Sequence, residues 1–162
     1  MVITFIFFQN FEQELMNYKT FILGIFIILA SLSNGFSQIN QLEKAAQIAK
    51  EQNKLIFMNF SGSDWCRSCM VLKQSILNTA EFESFAKEKL VLLDVDFPRK
   101  KKNRLSNEQT QYNEKLAEKY NNDGQFPTII ILDSDLNIVA KTGYKRLSPT
   151  QYIAYIKTLI EK

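Results

Sequence analysis

The stretch Trp65-Cys66-Arg67-Ser68-Cys69 constrains this chain more than any other. It follows a short apolar run, residues 55–60, and opens a segment whose apolar residues recur at helical spacing. Both cysteines of the chain lie in it. A Cys-x-x-Cys pair at a strand-to-helix junction sets the first sulfur beside unpaired backbone N–H groups and the positive end of the helix dipole, which favours thiolate over thiol. The chemistry of such a pair is dithiol–disulfide exchange.

Composition removes most rivals. The chain has no His, which excludes Ser-His-Asp and Cys-His catalysis and two-His metal motifs. A structural zinc site takes four protein ligands, and two Cys without His leave the soft ligands missing. Haem attachment needs His after the second Cys, where Met70 stands. A purely structural disulfide over so short a loop stabilises little. No metal and no bound cofactor is expected beyond a redox-active Cys66–Cys69 pair. A formal charge of +3 is too small to suggest nucleic acid. At 162 residues with 46% hydrophobic content, one domain with a substantial core is expected.

The N-terminal part reads as a targeting segment. Met16 is followed by Lys19, an apolar stretch over 21–30, and Gly35-Phe36-Ser37 with small residues where a signal peptidase cuts. Residues 16–37 are expected to be a signal peptide, with 1–15 an upstream extension of the reading frame and 38–162 the mature domain. A retained membrane anchor is the alternative, but about a dozen apolar residues fall short of the roughly 20 needed to span the hydrocarbon core. Export would place the protein in the periplasm of a Gram-negative cell, or outside the cell otherwise. In such compartments a disulfide persists.

Along the mature chain, Leu42, Ala45, Ala46 and Ala49 predict an amphipathic helix over 39–52, and Asn53 a stop. Residues 55–60 read as a buried strand. A helix carrying Met70, Leu72, Ile76 and Leu77 is interrupted at Asn78-Thr79 before a second helix. A strand over 90–97 ends at Pro98. A basic run over 99–104, a polar helix over 107–120 and a turn over 121–124 follow. Strands over 128–132 and 136–141 form a hairpin, and Ser148-Pro149 starts the last helix. This alternation predicts an α/β fold with a central mixed sheet covered by helices on both faces.

With Trp65-Cys66-x-x-Cys69 and Phe126-Pro127-Thr128 in that order of elements, residues 39–162 resemble the thioredoxin superfamily, and within it the exported thioredoxin-like proteins. The resemblance implies a thioredoxin-like fold, with an insertion before the helix that precedes the proline loop. It implies that Cys66 is the nucleophile and Cys69 the resolving cysteine. It also implies that Pro127 follows a cis peptide, and that Phe126 pairs backbone to backbone with the substrate. Trp65, Arg67 and Ser68 complete the expected substrate-binding residues. Three departures stand out. Asn59 occupies the position of a buried acid, Gln74 that of a helix-kinking proline, and Arg67-Ser68 matches neither Gly-Pro nor Gly-His.

The resulting expectation is a thiol–disulfide oxidoreductase acting through a mixed disulfide. Its partners would be cysteine-containing exported proteins and an upstream protein electron donor or acceptor, which a membrane protein could supply; it is expected to be a monomer. Arg67 beside Cys66 should lower the thiol pKa from about 8.5 and raise the potential above about −270 mV. The alternative is a non-catalytic thioredoxin-fold binding module or chaperone-like subunit. Several residues keep two readings. Trp65 is either an exposed rim or a core aromatic, and Asp64 a turn former or a modulator of the sulfur. Asp94 and Asp96 are strand-end polar residues or substitutes for the missing acid. The basic run is a solvated loop or a dock for an acidic partner or anionic lipid.

Overall fold

A computed structural model describes residues 40–161; the expected signal peptide over 16–37 and the extension over 1–15 lie outside the described residues. Helix α1, Gln41–Gln52, begins where the Asn40 side chain accepts from the Leu42 N–H and stops where Asn53 takes a left-handed backbone, φ 51°. The chain then enters β1, Leu55–Ser61, buried on both faces from Ile56 to Phe60. That is why this strand reads as a continuous apolar run instead of an alternating one.

Strand β1 pairs in parallel with β2, Leu90–Asp96, and antiparallel with β3, Thr128–Leu132. β3 pairs in turn with β4, Ile138–Gly143, giving the sheet order β2-β1-β3-β4. The crossover from β1 to β2 is helical. Helix α2, Arg67–Leu72, runs on through a π turn, Lys73–Leu77; Asn78 and Thr79 break the run, and Thr79 caps α3, Ala80–Lys89. A single 3-10 turn, Lys101–Asn103, and α4, Asn107–Tyr120, connect β2 to β3. Helix α5, Pro149–Ile160, closes the chain behind a capping box of Ser148 and Gln151.

Alternation along β1 divides the core between the two faces of the sheet. Ile56, Met58 and Phe60 pack with Leu42, Ala45 and Ala49 of α1 and Leu116 and Tyr120 of α4. Phe57 faces the other way, onto Leu72, Ile76, Phe82, Phe85, Tyr152 and Ile156 of the remaining helices. Phe82 is fully buried, edge-on to Phe57 at 5.6 Å, and burying a side chain of that size is worth about 1.5–3 kcal/mol. The α/β sandwich with helices on both faces is as the sequence predicts. The last strand begins at Ile138, two residues later than expected, because Leu136 has φ 66° and belongs to the turn. There the Asp133 carboxylate gathers the N–H groups of Asp135 and Asn137, and its pKa is held below the usual carboxylate range by the Asn137 side chain and then by those backbone donors.

Three chain segments meet at one end of the sheet. The register pairs Ser61 with Asp96 and Phe60 with Thr128. The exits of β1 and β2 and the entry to β3 therefore lie side by side, carrying the cysteines, Phe97 to Arg99, and Phe126-Pro127.

Candidate active site

Cys66 is the N-cap of α2, and its sulfur accepts the Cys69 backbone N–H at 3.2 Å. The two cysteines are joined in a disulfide, with S–S 2.08 Å and Cα–Cα 5.3 Å. Cys66 is 6% exposed and Cys69 4%, so a partner reaches the sulfurs only by fitting closely around them. The Ser68 hydroxyl stands 3.5 Å from Cys66 Sγ; a disulfide sulfur carries no hydrogen, so the hydroxyl is the donor. Arg67 is exposed on the first turn of α2. On the reduced protein, its charge, the Cys69 N–H and the Ser68 hydroxyl would all favour thiolate at Cys66.

The Phe126–Pro127 peptide is cis, as the family resemblance implied. Gly143 lets β4 pass this peptide closely: a Cβ there would stand 2.7 Å from the Pro127 carbonyl oxygen. The Phe126 ring meets the Trp65 indole edge-on at 5.4 Å and Phe97 at 5.5 Å. This contact brings the proline loop to the cysteine motif.

Trp65 is neither a free rim nor a core residue. It is half-buried, its Nε1 donates to the Phe97 carbonyl at 2.6 Å, and the Arg99 guanidinium lies 3.8 Å over its ring. The indole also lies over Gly62, where a Cβ would run into it. The turn before the cysteines thus requires glycine for steric reasons.

The two parallel strands are laced together beyond their ladder. Asp64, past the end of β1, accepts the Arg99 and Lys100 N–H groups and the Asn103 side chain, each at 2.9 Å. These donors, the Arg99 N–H foremost, hold its carboxyl below its ordinary range. Asp96, at the end of β2, accepts the Ser63 N–H and the Ser61 and Ser63 hydroxyls in return. Asp64 is therefore a turn-forming residue whose partner is the basic segment, and Asp96 is a structural acceptor. The sequence identified neither tie, because each depends on the parallel register, which pairs Asn59 with Asp94 and Ser61 with Asp96.

Asn59 points to the face that carries α2. It is 5% exposed, donates from Nδ2 to Asp94 Oδ1 at 3.0 Å, and leaves its own Oδ1 without a partner among the described residues. The opposite amide orientation would set oxygen against carboxylate, which fixes this one. Asn59 and Cys69 line a cleft of about 180 Å³ with Ser61, Ser63, Met70, Lys73, Gln74 and Asn78, roomy and polar enough for water. On the other flank of the motif, a cleft of about 840 Å³ is walled by Trp65, Phe97, Arg99, Arg104 and Phe126. Among the described residues there is no cluster of three or more Cys, Asp or Glu able to hold a metal, and no helix long and apolar enough to cross a membrane.

Residues 42–160 match the thioredoxin-like domain family. The disulfide bond reductase DsbH of Chlamydia pneumoniae is 32% identical over 118 residues, which span 73% of this chain and 69% of that protein. A solved DsbH oxidoreductase has the same fold with a TM-score of 0.67 at 32% identity, covering 72% of this chain and 79% of that one. A disulphide isomerase from Xylella fastidiosa, 17% identical with a TM-score of 0.56 over 76% of this chain and 93% of its own, shares the fold.

Proposed function

The chain belongs to the thioredoxin-like domain family, and from that premise we propose that it is a thiol–disulfide oxidoreductase that reduces disulfides of exported proteins. The observation that carries the reading is the Cys66–Cys69 disulfide at the start of α2, with Cys66 Sγ on the Cys69 N–H. The aromatic contact from Trp65 to the residue before a cis proline supports it. The reducing direction is favoured by the activity of the DsbH relative, a disulfide bond reductase.

In the reduced protein, the Cys66 thiolate attacks one sulfur of a substrate disulfide. The substrate S–S bond breaks, the other substrate sulfur leaves as thiolate and takes a proton, and a Cys66–substrate disulfide forms. Cys69 then loses its proton and attacks Cys66 Sγ, which expels the second substrate thiolate and closes the Cys66–Cys69 disulfide. Two electrons pass from protein to substrate, and a dithiol protein upstream restores them. Asn59 cannot take the Cys69 proton; water in the cleft lined by Asn59 and Cys69 can. Arg67 and Ser68 set the thiolate, while Trp65, Phe126 and Pro127 hold the substrate chain across from it.

Insulin reduction assayed by turbidity tests this reading. Wild type should precipitate the insulin chains and Cys66→Ser should not; a wild type as inert as the variant would favour a binding module. Cys69→Ala should accumulate covalent complexes with its substrates. The pattern of Lys19, the apolar stretch over 21–30 and Gly35-Phe36-Ser37 supports export, to the periplasm in a Gram-negative cell. Mass spectrometry of the mature protein should find an N-terminus at or near Gln38, and an intact Met1 would refute it.

A further inference from the structure

The cleft beside Trp65, about 840 Å³, differs in size and lining from the cleft of about 180 Å³ on the Cys69 flank. Trp65, Phe97 and Phe126 form an aromatic wall, and Arg99 and Arg104 stand on its lip. Arg99 is fixed from two directions: its N–H is held by Asp64, and its guanidinium lies over the Trp65 ring, 3.8 Å from the ring centroid. Residues 99–104 hold five cations and no acid, and none of the five takes part in the ion pairs found among the described residues, Lys89–Glu88 and Lys141–Asp123. Asp96 is the one acid in the cleft lining, but Ser61 and Ser63 already occupy its carboxylate.

We propose that this cleft binds an acidic segment of the substrate polypeptide next to its disulfide, so that the protein selects substrates whose cysteines are followed or preceded by Asp and Glu. The proposal rests on the reductase reading and specifies its substrate class. A chain lying against Phe126 also meets Trp65, whose ring is 5.4 Å from that of Phe126, and Trp65 is the residue before Cys66. The charge of the lip attracts carboxylates, and the aromatic wall accepts apolar neighbours. An extended peptide fits a concave aromatic cleft, whereas a lipid surface would need the cations on a flat or convex face.

The test uses three otherwise identical peptides with acidic, neutral or basic flanks, each made as a disulfide substrate and as a Cys→Ser version that binds without reacting. Binding of the Ser peptides is read by the fluorescence of Trp65, the chain's one tryptophan, and turnover of the disulfide peptides by kcat/KM with a chemical dithiol as reductant. Wild type should favour the acidic over the neutral peptide by about tenfold in both readouts at low salt, and by less at high salt. The double variant Arg99→Gln, Arg104→Gln should bring the ratio to within about twofold, and Arg99→Glu, Arg104→Glu should invert it toward the basic peptide. Equal binding of the three Ser peptides by wild type, or a preference unchanged in both variants, overturns the proposal. So does loss of binding to phosphatidylglycerol vesicles in the Gln variant with the peptide ratio unaltered, which would assign the run to an anionic surface. Failure of the reductase reading is seen separately, as absent turnover of every disulfide peptide; the Ser-peptide binding ratio then still decides the cleft.

Discussion

In the proposed mechanism Arg67 and Ser68 would act on the same sulfur by different means, and their effects are separable. Arg67 is exposed, so its field at Cys66 is screened and modest. Arg67→Gln should lower the midpoint potential by about 10–20 mV, equivalent to an interaction under about 1 kcal/mol. Equilibration with glutathione measures this, and an unchanged potential would assign thiolate stabilisation to the helix terminus and Ser68 alone. Asp64 provides a pH-dependent feature. Its carboxyl lies below 3.8 because the Arg99 N–H, the Asn103 side chain and the Lys100 N–H favour the charged form. The tie it makes is therefore complete above pH 3.8 and is lost as the pH falls through the lower folded value. Trp65 fluorescence should report release of the Arg99 segment with an acid midpoint below 3.8, and Asp64→Asn should abolish that transition. A midpoint above 3.8 would contradict the assignment.

The elements themselves were mostly legible in the sequence, because each carries its own punctuation. Asn53 ends α1, Asn78-Thr79 splits the crossover, and Ser148-Pro149 opens α5. Local signals of this kind need no knowledge of the fold. What escaped was non-local. The exposed or buried standing of Trp65 depends on a carbonyl 32 residues away, and the role of Asp64 on backbone groups 35 and 36 residues away. The apolar character of Leu136 reads as strand, whereas its positive φ belongs to the Asp133 turn. Two substitutions test the local devices. Ser148→Ala removes the capping box of α5 and should cost about 1 kcal/mol in denaturant unfolding with no effect on disulfide exchange. Gly62→Ala forces the indole aside and should cost about 1–3 kcal/mol, with a change in Trp65 emission that Ser148→Ala does not produce.

Across the whole molecule, the absence of His leaves no imidazole to titrate between pH 5 and 8. The pH profile of kcat/KM for disulfide reduction should therefore show no falling limb in that range. A bell shape there would show that another group takes part. The site is assembled from three segments that the sheet brings to one end, and two of them are cross-tied by Asp64 and Asp96, each loop lending its carboxylate to the other's backbone. A mixed disulfide is also a mechanical attachment: while it lasts, any pull on the substrate is a pull on Cys66. Cys66 lies between the exit of β1 and the start of α2, and the reciprocal ties join this stretch to β2. The two segments are therefore tied to each other, at Ser63 and Asp64, just ahead of the point in the chain where such a pull would enter.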